Sequence, residues 1–463
     1  MKKFYLNLFI LSFFASTDLL ASHNYAGEIV VRQIDNLTVE ASIITYSEDD
    51  NQPDRDSLYI DWGDGNIELI PRVNGFDQNG EPIENGMKRN IYLGTHSYSE
   101  IDTYLLSMTD PNRIVGILNI NPPNSDAIPF HVQSEFTLVE MTSGTINTSP
   151  VFLEAPVDIA YVGVPFVHVV NAFDPDGDSL TYELTIPLMD VNTEVINFNS
   201  PMSFPVGVEN VMTLDTHTGK MTWDFPHIPG LYVIAIKVIS YRNGQETGSV
   251  IRDMIISVRQ DEELASMITF TGAEQDVITP VSLGDTVNIA FDISEPDTDQ
   301  QLFITSTCGL YDFYNNTATF SQTTNGTNGT ANFQWIVKEE HLRQFPYQLV
   351  IQAVGSEEAD ALAAFAVFRF RTTDFVSETK EVILQNDYKI YPNPTSDYFI
   401  FEGNFNYPLP YQLISGNGTL VQKGLIQEDK EKISIADLPK GWYILQITSK
   451  ENTPLQQPIL IQD

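Results

Sequence analysis

The stretch Tyr347-Gln348-Leu349-Val350-Ile351-Gln352-Ala353-Val354 decides the class of the fold. Its side chains alternate, so Tyr347, Leu349, Ile351 and Ala353 share one face of an extended chain, the period of a strand lying on a core. A second run, Tyr232-Val233-Ile234-Ala235-Ile236-Lys237-Val238, is apolar almost throughout, which predicts a strand covered on both faces. Shorter candidates are Leu58-Tyr59-Ile60-Asp61-Trp62 and Thr103-Tyr104-Leu105-Leu106-Ser107. Turn residues recur at short intervals between such runs. Only Lys338–Gln344 and Ser356–Ala364 look helical, the first as a short turn leading into a strand. The pattern predicts an all-β chain of tandem sandwiches of about 100 residues each. Turn residues, prolines and charges cluster near Thr145–Pro150, Gln260–Ala265 and Thr373–Lys380, where the boundaries are placed.

The segment 147–260 is the most readable. It begins Asn147-Thr148-Ser149-Pro150-Val151-Phe152 and continues with Asn171-Ala172-Phe173-Asp174-Pro175-Asp176-Gly177-Asp178-Ser179-Leu180-Thr181-Tyr182. Later come Asp215-Thr216-His217-Thr218-Gly219-Lys220-Met221-Thr222-Trp223 and a strand opening with Gly230-Leu231-Tyr232. This order resembles the dystroglycan-type, cadherin-like immunoglobulin-fold repeats of bacterial surface proteins, over about Asn147–Val258. Alternate carboxylates in a loop can converge on one hard cation, and calcium takes about six to eight oxygens. Gly177 permits a sharp turn between them. The resemblance implies that Asn147 joins Asp174 and Asp176 around a structural Ca2+ that stiffens the junction, with Asp178 a further ligand or a turn cap. The alternative is an Asp/Gly turn without metal, although three packed carboxylates repel and favour a counter-ion. Thr185 stands where a helix–loop–helix calcium site needs a glutamate. The segment 265–375 reads as a third immunoglobulin-like sandwich. Its Asp292-Ile293-Ser294-Glu295-Pro296-Asp297-Thr298-Asp299 echoes the acidic loop, with Thr298 for the glycine, and offers Asp297 and Asp299 as a second candidate metal pair.

The first module, 22–144, holds Asp61-Trp62-Gly63-Asp64-Gly65, then His96-Ser97-Tyr98 and Tyr104. The glycines permit a tight turn with Asp64 as its internal acceptor. Trp62 points away from Asp61 and is expected in the core. The pattern resembles a polycystic-kidney-disease-type repeat over about Ser57–Thr109. The insert Asn74–Arg89 departs from that repeat and reads as an exposed loop.

The two ends give an address. Lys2 and Lys3 precede an apolar run over Phe4–Phe14, followed by the small residues Ala15, Ser16 and Ala21. That is the pattern of a secretory signal, read as residues 1–21. The run is too short to span a bilayer, which needs about 20 apolar residues, and no later segment qualifies. At the other end, 383–463 contains Tyr388-Lys389-Ile390-Tyr391-Pro392-Asn393-Pro394-Thr395-Ser396-Asp397 and a late strand Gly441-Trp442-Tyr443-Ile444-Leu445. The prolines forbid helix, and several short β-rich runs follow, split by Gly416, Gly418 and Gly424. The segment resembles the small β-sandwich C-terminal sorting domain of type IX secretion cargo in Bacteroidetes. The resemblance implies passage through the periplasm of a Gram-negative cell, recognition by the type IX machinery, and residence on the outer surface or outside.

Composition narrows the class further. The formal charge is −38, and loss of Lys2, Lys3 and Asp18 with the signal makes it −39. Such a field repels phosphate backbones, so nucleic acid is excluded as a partner. The single cysteine, Cys308, forms no disulfide within the chain and is expected buried. No His-Glu-x-x-His pattern and no Gly-x-Ser-x-Gly elbow occurs, and the seven histidines are scattered without ligand spacing. His96 and His168 read as strand residues and His217 as a turn residue. The expectation is a secreted or cell-surface, non-catalytic adhesion protein that takes a polysaccharide or protein surface. The alternatives are a surface-layer spacer, or a glycoside hydrolase or other hydrolase whose carboxylate pair spacing cannot reveal.

Overall fold

Tyr347–Val354 is a strand, and Tyr347, Leu349, Ile351 and Ala353 are fully buried in the core of the third module. A computed structural model describes residues 24–461, except 50–54, 84–85, 121–123, 142–145, 157, 202–209, 261–267, 273–274, 276, 297–300, 313, 315–317, 356–362, 374–387, 393–394, 404–406, 416–419, 437 and 449–453. The signal segment 1–21 and the candidate ligands Asp297 and Asp299 lie outside the described residues. The chain divides into two units, Met1–Phe375 and Val376–Asp463.

The third module is an immunoglobulin-like sandwich of two four-stranded sheets. One runs Thr269–Gly272, Thr286–Ser294, Asn328–Ile336, Ala318–Asn325; the other runs Ile278–Val281, Ala363–Thr372, Tyr347–Val354, Phe303–Cys308. Phe291, Phe333, Trp335, Phe368 and Phe370 fill the space between them, with Cys308 buried among them. Residues 339–341 form a single 3-10 turn before the strand. The helix expected over Ser356–Ala364 is not one at its described end: Ala363 opens the strand Ala363–Thr372, whose apolar alternation outweighs the helix propensity of its alanines. A one-turn helix, Gly309–Asp312, was not foreseen.

Val350 shows that the other face of this sheet is also covered. It is buried against Val169 of the second module and Val367. Phe173, also from the second module, enters the third module's core, and a Cβ on Gly309 would fall 2.3 Å from its ring. Asn171 donates to the Thr307 hydroxyl at 2.8 Å, and Gln348 donates to the Thr218 carbonyl at 3.0 Å. The second and third modules are therefore packed together.

The first two modules are joined more closely still, because they share one sheet. Gly230–Arg242 pairs along its length with Gln245–Arg259, and both are buried nearly throughout, as the apolar run Tyr232–Val238 implies. The opposite edge of Gln245–Arg259 takes three partners in succession. Phe130–Thr137 pairs at Gly248–Val250, Ala26–Asp35 pairs at Asp253 and Met254, and Asp158–Tyr161 pairs in parallel at Ile256–Arg259. A strand of the second module thus closes a gap between two strands of the first, and free sheet edges are removed. Two buried ion pairs seal it. Arg252 donates through Nε and Nη2 to Glu28 at 3.0 and 2.6 Å, and Arg113 donates through two nitrogens to Asp253 at 2.9 and 2.7 Å. The modules expected as separate beads are interlocked, because adjacent opposite charges on one buried strand require partners from a neighbouring module.

The second unit is a small sandwich of its own. A three-stranded sheet (Tyr388–Tyr391, Tyr398–Gly403, Glu431–Ser434) faces a four-stranded one (Leu420–Ile426, Leu409–Ser415, Gly441–Thr448, Pro454–Ile461). Phe399, Phe401, Leu413, Ile426, Leu445 and Ile459 form its core.

Candidate functional site

The acidic loop forms where the strand Ala172–Phe173 ends and Ser179–Thr185 begins. Pro175 offers no backbone donor, and Gly177 adopts a φ of 87°, a conformation that side chains disfavour. Asp174 is fully buried and closes the loop: its Oδ1 accepts the Asp176 and Asp178 N–H groups at 2.9 and 3.1 Å. Its Oδ2 has no partner. Burial, with the charges of Asp178 and Asp176 beside it, pushes the Asp174 carboxyl up to about 7. Burial likewise raises Asp176 to about 6, against the Thr148 N–H and the Arg242 charge.

Asn147, Asp174, Asp176 and Asp178 do come together, but Arg242 stands among them. Its Nε donates to Asp178 Oδ1 at 2.7 Å and its Nη2 to Asp178 Oδ2 at 3.0 Å. Nη2 also reaches Asp176 Oδ2 and Asn147 Oδ1, each at 3.4 Å, and Nη1 donates to the Ile146 carbonyl at 3.1 Å. Thr247 donates to Asp178 Oδ2 at 2.9 Å, while the Asn147 amide donates to the Thr137 carbonyl at 2.7 Å. Burial opposes the Arg242 charge, but the Asp178 hydrogen bond and the three carboxylates outweigh it and raise its pKa. The arginine is delivered by a two-residue hairpin turn, Asn243-Gly244, with positive φ at both positions, the sign of the tight hairpin turn that Asn-Gly favours. The sequence reading missed Arg242; the Asn-Gly turn directly after it was the available signal.

As built, this donor set does not fit a calcium ion. Both Asp178 oxygens and Asp176 Oδ2 already face N–H or O–H donors, Asn147 Oδ1 faces the guanidinium, and Asp174 Oδ2 alone stays open. A hard cation of this kind asks for about six oxygens or more. Among the described residues, no group of three or more His, Cys, Asp and Glu side chains is placed to hold a metal ion.

The Asp61–Gly65 turn is satisfied locally. Asp61 accepts the Gly63 N–H at 2.9 Å, and Asp64 accepts the Asn66 backbone and side chain, each at 3.0 Å. His96 Nε2 lies 2.8 Å from Asp64 Oδ2, and its ring stacks on Trp62 with centroids 4.9 Å apart. Burial works against the Asp64 charge, but the His96 and Asn66 hydrogen bonds hold its carboxyl below the ordinary range. Trp62 is fully buried, as expected, and its carbonyl accepts the Tyr98 hydroxyl at 2.9 Å. His96 and His168 lie on strands and His217 in a turn.

Two outer faces among the described residues are open. On the third module, Thr271, Asp292, Ser321, Thr323, Thr330 and Asn332 help line a shallow groove of about 410 Å3. On the first, the outward face of the hairpin Ser57–Asp61 and Ile67–Pro71 carries Tyr59, Ile67 and Leu69, exposed by 63%, 65% and 50%. Tyr59 stands opposite Leu69, and Ile67–Pro71 is an end strand of its sheet. The alternation Ile67-Glu68-Leu69-Ile70, with Ile67 and Leu69 on one face and Glu68 and Ile70 on the other, leaves open which of the two faces is covered.

Comparison with curated proteins finds no match. Among solved structures, an endo-fucoidan hydrolase of glycoside hydrolase family 107 is 10% identical, with a TM-score of 0.16, over 76% of this chain and 43% of that one. The sialic acid binding region of a Streptococcus sanguinis adhesin is 10% identical, with a TM-score of 0.17, over 50% of this chain and 78% of that one. The human desmocollin-1 ectodomain is 11% identical, with a TM-score of 0.17, over 88% of this chain and 92% of that one. The chain spans less than half the length of the hydrolase, and at such TM-scores none of these likenesses informs the reading of this chain. No helix among the described residues is long and apolar enough to cross a membrane. Residues 389–462 match the family described as "Secretion system C-terminal sorting domain", so the second unit marks this chain as cargo for export to the cell surface or beyond.

Proposed function

We propose that the protein is a non-catalytic binding or adhesion protein of the outer cell surface, delivered by the type IX secretion machinery. The sorting domain over 389–462 is the observation that carries the reading. The exposed Tyr59, Ile67 and Leu69, on the last two strands of their sheet, support a binding role, since exposed apolar patches mark contact sites. The net charge of −38 disfavours polyanions as ligands, which leaves neutral polysaccharide or protein surfaces. Stiffening by calcium is left out of this reading, because the donors around Asp176 and Asp178 face Arg242. A purely structural spacer is the second reading, favoured by the strand that the first two modules share.

Two measurements test this. A chain lacking Tyr388–Asp463 is expected to stop in the periplasm; finding it outside the cell refutes the export route. The purified full chain is then screened on immobilised polysaccharides and surface proteins. Saturable binding weakened about tenfold by Tyr59→Ser with Leu69→Ser, roughly 1.4 kcal/mol, supports adhesion. Absence of binding favours the spacer, and turnover of a polysaccharide would replace both with a hydrolase.

A further inference from the structure

We propose that Arg242 is the built-in cation of the acidic loop, so that the junction between the modules is fixed without calcium. Three segments meet at this guanidinium. The linker offers the Ile146 carbonyl and Asn147 Oδ1, the loop offers Asp176 and Asp178, and the hairpin offers Arg242 itself and Thr247. The linker is in turn held on the first module: Ser149 donates its backbone N–H to the Val31 carbonyl at 2.8 Å, and its hydroxyl accepts the Val31 N–H at 2.9 Å. The contact with Asp178 is two-pronged, the arrangement in which a planar guanidinium fixes direction as well as charge.

The loop's other side is met by a second arginine. Arg343 of the third module donates through Nη1 to the Asp174 carbonyl at 3.0 Å and lies over the Phe173 and Tyr347 rings at 4.5 and 5.1 Å. The Arg343 Cβ is also 3.7 Å from where a Cβ on Gly177 would sit. One arginine from the loop's own module and one from the next therefore clamp it. A metal ion would have to displace the first of them, and only Asp174 Oδ2 would be ready to receive it. Unlike a bound ion, an arginine cannot be lost by dilution or chelation.

The test is thermal melting of the full chain at neutral pH, in EGTA and in excess Ca2+, for the wild type, Arg242→Gln and Arg242→Lys. The wild type is expected to melt at the same temperature in both buffers. Arg242→Gln leaves the carboxylates uncompensated and is expected to melt about 10 °C lower in EGTA, with much of the loss restored by Ca2+. If Arg242→Gln does not fold, Arg242→Lys decides: it keeps the charge without the fork, so it melts below wild type and stays indifferent to Ca2+. A wild-type melting temperature that falls in EGTA, by an amount that Asp176→Asn abolishes, overturns the proposal. An Arg242→Lys protein that melts like wild type overturns it equally.

Discussion

The chain builds two acidic glycine turns, Asp61–Gly65 and Asp174–Asp178, from nearly the same residue types, and it stabilises them in opposite ways. The first keeps its partners near and its carboxylate partly wet. Asn66 is two residues from Asp64, and His96 is delivered by a strand of the same module. The second buries Asp174 completely and draws compensation from afar: Arg242 lies 64 residues beyond Asp178, and Arg343 lies 169 beyond Asp174. A turn that only reverses the chain can be solved by its neighbours. A turn at a junction takes its partners from whatever it joins.

The sharpest way to break this comparison is at the glycines. A Cβ at Gly63, where φ is 80°, would sit 2.6 Å from the Leu105 carbonyl oxygen; at Gly177, where φ is 87°, it would meet only the Arg343 Cβ at 3.7 Å. Gly63→Ala is expected to cost about 3 kcal/mol or more in denaturant unfolding, and Gly177→Ala about 1–2 kcal/mol, the strain of the backbone alone. Equal losses would mean that the second turn is no more open than the first.

The two turns also respond to pH with opposite sign. Asp174 and Asp176 titrate near 7 and 6 when folded, above the ordinary carboxylate value near 4. Their contribution to stability is fully present below about pH 4 and is lost as the pH rises toward 7. Asp64 is held below its ordinary value, so its contribution is present above about pH 4 and is lost as the pH falls through its folded value. Between pH 4 and 7, Asp174→Asn should flatten the decline in melting temperature seen in wild type, whereas Asp64→Asn should remove a loss seen only at lower pH. A decline unaltered by Asp174→Asn would place the buried charge elsewhere. The smallest effect is expected of His96→Gln, about 1 kcal/mol, since it removes one polar contact and leaves Trp62 in place. A loss several times larger would show that the first turn, too, depends on a buried charge.

The fold was legible where the signal is local. Alternation over Tyr347–Val354, the apolar run at Tyr232–Val238 and the core position of Trp62 each follow from a few consecutive residues. The sharing of Gln245–Arg259 was not, because Arg252 and Asp253 find partners 224 and 140 residues away. Of the site, the gathering of Asn147, Asp174, Asp176 and Asp178 could be read from spacing and resemblance. The Asn-Gly turn marks Arg242 as the end of a strand, but not as the partner of the loop, since a basic residue after a long apolar strand looks like any exposed strand end. The patch at Tyr59, Ile67 and Leu69 was hidden for a different reason: periodicity tells which residues share a face, and not whether that face is covered.

The strand shared by the first two modules has a consequence for how the chain matures. Ala26–Asp35 pairs with Asp253 and Met254, which lie far along the chain from it, so this contact closes a long loop. Without that contact the N-terminal sandwich lacks one neighbour of Ala26–Asp35 and the Arg252 partner of Glu28. Contacts so distant along the chain form late and slowly. The segment 22–144 is thus no transferable cassette: excised and expressed alone, it should aggregate or remain unfolded, whereas a piece carried through to Phe375 should fold.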